Sequence, residues 1–211
     1  MNEPKILEGG QARKEAKGAM RNEEVRALRD WFKQQQLRPN VKGAAAFEIS
    51  YEGEYEEVNQ GNPVIVLIPY APRGKDEKRG GLLQLYMVDD GPQRVVGGVT
   101  AVYSEEFDEG VHAKYLGLDG DDVIVTHEET LASSFSASWS VKCATCEITF
   151  EAICTGTYGT VGVAGCSTIC AASGPGWLAC TPVCSTMVVV GTYYMCNFGA
   201  SYFCSNMVDF C

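Results

Sequence analysis

The apolar positions of this chain change period along its length. Early on they recur at helical steps: Val25, Leu28 and Phe32 fall on one face, with Trp31 beside them. The pattern predicts a docking helix over residues 13–37, its other face in solvent. Asn22-Glu23-Glu24 is an alternative start, and Pro39 is the stop. Gly9-Gly10, ahead of it, reads as loop. From residue 44 the period falls to two. Phe47, Ile49 and Tyr51 alternate with polar residues, and PVIVLIPY (63–70) is a short apolar run of strand length. The stretches 82–88 and 95–103 flank Asp89-Asp90-Gly91-Pro92, whose residues favour a hairpin turn. Residues 123–125 follow a second turn at Leu118-Asp119-Gly120. Residues 44–126 are therefore expected to form a small antiparallel sheet. Residues 129–140, small and polar with no firm period, read as a linker holding a candidate processing site.

Composition changes the picture beyond residue 142. All 17 Lys and Arg residues lie at or before Lys142, and all ten cysteines lie from Cys143 onward. In the last 69 residues only Glu147, Glu151 and Asp209 carry charge. An ordinary charged chain is thus joined to a nearly uncharged, cysteine-dense module. A module of this size is near the limit at which an apolar core alone suffices, and disulfides are the usual supplement. Such density implies an oxidising destination. The expected course is synthesis in the cytoplasm and secretion of the module, although the N-terminus lacks the apolar core of a signal peptide.

The cysteines are patterned. Successive gaps are 2, 7, 11, 3, 9, 3, 11, 7 and 6 residues, a palindrome once the two end gaps are set aside. Ten cysteines allow hundreds of full pairings, and sequence does not select one. A chain folded back at Gly174, Pro175 and Gly176 has this symmetry, and it nests the pairs Cys170–Cys180, Cys166–Cys184, Cys154–Cys196, Cys146–Cys204 and Cys143–Cys211. Cys166 and Cys170 share a face if helical, as do Cys180 and Cys184, although Pro182 suits only a first helical turn. The small residues Ser167, Ala171, Ala172 and Ala179 permit the close approach a disulfide needs. The stretch is thus expected to be a stapled helical hairpin. Gly156, Gly159, Gly162 and Gly165 disfavour one long helix upstream, so several short helices are expected.

Candidate chemistry is sparse. Cys143-Ala-Thr-Cys146 has the spacing of a zinc knuckle or redox pair, but no second such gap and no histidine accompanies it in the module. Disulfides are the preferred reading, with no metal and no cofactor. His112 and His127 stand alone among acidic residues and read as surface positions. Asp119-Gly120-Asp121-Asp122 lacks the glycine and spaced acids of a calcium loop and reads as a turn. The stretch 74–81, GKDEKRGG, reads as a solvated turn. A net charge of −10 and an isoelectric point near 4.7 argue against a nucleic-acid partner. No uncharged apolar run reaches the 18 residues a membrane-spanning helix needs.

Cys143, Cys146 and Cys154 open a ten-cysteine, glycine- and alanine-rich, nearly uncharged module that Cys211 closes. In this it resembles the halocin C-eight family of haloarchaeal bacteriocins, whose related domains occur at the C-termini of bacterial proteins. The resemblance covers about residues 138–211, roughly a third of the chain. It implies a precursor whose N-terminal part is a propeptide and immunity protein and whose C-terminal module is the antimicrobial peptide. The twin-arginine signal of the archaeal precursor has no counterpart in this sequence.

The expected fold is α+β: an N-terminal helical segment (1–40), a small β-rich propeptide or immunity-like domain (41–128), a linker (129–142), and a disulfide-rich all-α helical-hairpin module (143–211). The function expected is that of a bacteriocin precursor and not an enzyme. Its partners would be a target-cell membrane or envelope receptor, met through apolar residues such as Val188, Val189, Val190, Tyr193, Tyr194, Phe203 and Phe210, and its own N-terminal domain. A cystine-rich structural or envelope protein is the alternative, and inter-chain disulfides would mark it.

Overall fold

A computed structural model describes residues 5–48, 63–73, 78–90, 93–108, 110–119, 121–132, 143, 145–147, 199–202 and 204–205. These residues form chiefly one antiparallel sheet of eight strands: β1 (Lys5–Leu7), β2 (Leu37–Pro39), β3 (Ala45–Glu48), β4 (Val64–Pro72), β5 (Arg79–Asp90), β6 (Gln93–Phe107), β7 (Gly110–Asp119) and β8 (Asp122–Ala132). The spatial order is β1-β3-β4-β5-β6-β7-β8, and β2 pairs with the end of β4 that β3 leaves open.

This corrects the expected fold class. The sheet is large rather than small, the helices are few and short, and no helical hairpin occurs among the described residues. Two of the additional strands escape local patterning because they are only three residues long. Lys5 pairs with Glu48 and Leu37 with Pro72, so distant partners define them. At the other end, β8 runs to Ala132, so residues 129–132, read as linker, are strand. The stapled hairpin and its turn at Gly174, Pro175 and Gly176 lie outside the described residues.

The single predicted helix is two: α1 (Gly10–Ala19) and α2 (Arg26–Gln34), with a 3-10 turn at Glu23–Val25 between them. The break has a local cause. Asn22 is extended, and the Arg29 guanidinium donates to the Met20 carbonyl at 2.6 Å, where it satisfies a carbonyl at the end of α1. Gly9 turns the chain at φ +42°, and Gly10 is already helical. Gln36, at φ +61°, turns the chain out of α2, so Leu37 belongs to β2.

Both helices cover one face of the sheet. α1 presents the stripe Ala12, Ala16 and Ala19, and α2 presents Leu28 and Phe32, all essentially inaccessible. Beneath them lie Val66, Ile68, Leu83, Leu85, Ala101 and Leu116. An aromatic cluster locks α2 in place. The Phe32 ring stacks on Tyr70 at 4.2 Å, and Trp31 meets Phe32 and Tyr103 edge-on at 5.5 Å each. α2 approaches β5 closely enough that a Cβ at Gly81 would lie 2.5 Å from Phe32 Cε1.

The hairpin signals fall at connections. Asp90 pairs with Gln93 across the first turn, and Asp119 with Asp122 across the second, so the Asp-Gly-Asp-Asp stretch is a strand turn. Within 74–81, Arg79, Gly80 and Gly81 are strand rather than turn. Bulges interrupt the ladder at Tyr86/Met87, opposite the Gly97-Gly98 pair, and at Tyr115/Leu116, where Thr126 is the extra residue.

Candidate functional site: the sheet face that meets the cysteine segment

The uninterrupted apolar run in β4 arises because the sheet is covered on both faces. Facing away from the helices, Ile65, Leu67, Leu82, Gln84, Tyr86, Val102, Ser104, Ala113 and Tyr115 are all buried. Register places Leu82 opposite Val102, Gln84 opposite Thr100, and Ser104 between Gly80 and Ala113. This second face is therefore apolar with a polar row set into its middle.

Two of its polar groups pair within the sheet, one along β5 and one from β7 to β8. Gln84 Nε2 donates to the Tyr86 hydroxyl, while Gln84 Oε1 is buried without a partner among the described residues. The Tyr115 hydroxyl donates to Glu129, and the Tyr115 ring lies 5.4 Å from that of His127. The third group reaches across. Ser104, wholly buried on β6, hydrogen-bonds Thr145, 41 residues on and inside the cysteine segment. Cys143 and Thr145–Glu147 are helical, and Cys143, Thr145, Cys146 and Glu147 are all at most 5% exposed.

Next to this contact the two ends of the cysteine-dense region meet. Cys146 and Cys204 form a disulfide, with Cα atoms 5.9 Å apart across 58 residues of sequence. One residue further along, Ser201 Oγ donates to Glu147 Oε1 at 2.8 Å, so the buried carboxylate receives a hydrogen bond beside the bridge. Ser201 belongs to a single helical turn, Ala200–Tyr202. In the loop-entropy account a bridge closing a loop of this length contributes about 4 kcal/mol.

Of the proposed cysteine pairs, Cys146 and Cys204 are joined. Cys143 is also disulfide-bonded, to a partner outside the described residues. The Cys-x-x-Cys at 143–146 is thus neither an internal redox pair nor a pair of free thiolates. Cys170–Cys180, Cys166–Cys184, Cys154–Cys196 and Cys211 lie outside the described residues. Among the described residues no group of three His, Cys, Asp or Glu side chains is placed to hold a metal ion. His112 is half-buried with its ring 4.7 Å from Phe107, whereas His127 is exposed on β8. No helix among the described residues is long and apolar enough to cross a membrane.

Sequence reasoning missed Ser104, Thr145, Gln84, Glu147 and Ser201. A signal existed for two of them. Gln84 interrupts LLQLYMV and Ser104 ends VTAVYS at positions that alternation assigns to a buried face. Nothing in the local sequence marks Thr145 as the partner of Ser104. In comparisons with known protein families, with curated proteins and with solved structures, nothing matches this chain.

Proposed function

We propose that the chain is the precursor of a disulfide-rich antimicrobial peptide, a bacteriocin, and that its N-terminal sheet domain is the propeptide and immunity protein. The observation that carries this reading is the seating of the cysteine segment on the second face of the sheet through Thr145 and Ser104. A surface that buries the segment in cis is a surface that can bind the same segment in trans after cleavage. That is what protection of a producing cell requires.

The partition of chemistry supports it. The part of the chain up to Lys142 carries every basic residue and no cysteine, while the tail carries every cysteine and three acids. A tail without lysine or arginine has no cationic attraction to anionic lipid. It would meet a target membrane or envelope receptor through apolar contact, and masking that surface until release is the propeptide's task.

The test is growth inhibition by the oxidised tail, released from the folded chain by cleavage after Lys142, against a broad panel of bacteria and archaea. Inhibition of some strains is expected, with relief on adding the separate sheet domain in equimolar amount. A tail that leaves every strain unaffected removes the antimicrobial reading. Inhibition without relief removes the immunity role alone.

A further inference from the structure

We infer that the second face of the sheet is a folding template for the tail: it holds the Cys143–Glu147 segment in place so that the Cys146–Cys204 bridge closes on it. This goes beyond the proposed function and holds whatever the tail does after release.

Three features converge at one place. The first is covalent: Cys146 joins Cys204, 58 residues away, with both side chains buried. The second is the Ser201–Glu147 hydrogen bond, which aligns the same two segments at 2.8 Å, one residue from Cys146 and three from Cys204. The third is the buried Ser104–Thr145 contact, which fixes one of those segments to β6, in the middle of the sheet. Closing a loop this long in a free chain means finding one partner among nine other thiols. Fixing Cys146 against a folded surface removes half of that search and raises the local concentration of the correct partner.

The order of events follows from where the cysteines are. None of the sheet's strands or helices contains one, and the sheet is held by strand ladders and an apolar core. It is therefore able to form while all ten thiols are reduced, and it precedes the tail in the chain. Oxidation then follows ordinary exchange with a small-molecule disulfide. One thiolate of the pair attacks the reagent and releases one reduced thiol. The second thiolate attacks the mixed disulfide and releases the other, so two cysteine thiols become one disulfide as one reagent disulfide becomes two thiols.

The experiment uses the full chain, reduced and denatured, then diluted into a mixture of reduced and oxidised glutathione. Samples are quenched by alkylation, and the Cys146–Cys204 peptide is quantified by non-reducing mass spectrometry. Amide hydrogen exchange in β4–β6 reports the sheet. Thr145→Arg places a charge against buried Ser104 without touching the sheet sequence, and Thr145→Val removes the hydroxyl at constant shape. The reduced wild-type chain is expected to protect β4–β6 before any bridge forms. Thr145→Arg should keep that protection but form the bridge about tenfold more slowly or lose it to other pairings, with Thr145→Val in between. Two results overturn the proposal: unprotected strands in the reduced chain, or a Thr145→Arg chain that closes Cys146–Cys204 at the wild-type rate and yield.

Discussion

Tyr70 condenses the helix-side packing into one side chain. Its ring stacks on Phe32, and its hydroxyl reaches the Met20 sulfur at 3.5 Å, a weak acceptor. Burial pushes the phenol well above its ordinary value near 10, and the Arg29 charge only partly opposes this. The folded state therefore binds the phenolic proton more tightly than the unfolded chain does. The stability this represents is fully present below pH 10 and is drawn down as pH rises from there towards the folded value. Chemical denaturation at pH 8 and pH 11 should show a loss for the wild type that Tyr70→Phe reduces by about 1 kcal/mol. An equal loss in both proteins would mean the phenol is solvated. The sequence marked position 70 as the last residue of an apolar run and Phe32 as part of a helix face, but the two lie 38 residues apart and nothing local pairs them.

Between elements, the contact that sets helix-to-sheet distance is Phe32 on Gly81. An added Cβ would sit 2.5 Å from Cε1 and 3.2 Å from Cδ1 and Cζ. The ring has little room to move, being stacked on Tyr70 and edged by Trp31. Gly81→Ala is expected to destabilise the fold by about 1–3 kcal/mol through overpacking, read from urea denaturation. An unchanged midpoint would show that α2 can shift away from β5. The sequence told part of this story. The apolar face of α2 was legible from Val25, Leu28 and Phe32, because helical spacing is a local property. The strands β3 to β6 and the start of β8 were legible from alternation, short apolar runs and Asp-Gly turns for the same reason, whereas β7 had no segment of its own. The break between α1 and α2 was marked in part by the start signal at Asn22, whereas the Arg29–Met20 contact that closes α1 was not, and neither β1 nor β2 exists without its partner strand.

Over the whole molecule, the division of charge has a direct consequence. Because no lysine or arginine follows Lys142, exhaustive trypsin digestion of the unfolded, non-reduced chain should leave residues 143–211 as one 69-residue piece among short peptides. Mass spectrometry should find it ten hydrogens lighter than the sequence mass if every cysteine is bridged within the chain. Fragments linked to a second copy would instead favour an envelope protein. The sheet is the larger-scale counterpart of this division: a cysteine-free platform with helices on one face and, on the other, the segment that carries Cys143 and Cys146.

The sequence by itself determined the two-part character of the chain and the central strands, because composition, alternation and turn residues act over a few neighbouring positions. It also placed Cys146 opposite Cys204 in a symmetric series without excluding other pairings. Only the tertiary structure decided that the sheet has eight strands, that both faces of its central strands are buried, and that Ser104 meets Thr145 where that bridge lies. Each of these joins residues tens of positions apart, and such meetings are settled by which surfaces exclude water together rather than by any signal in the neighbouring sequence.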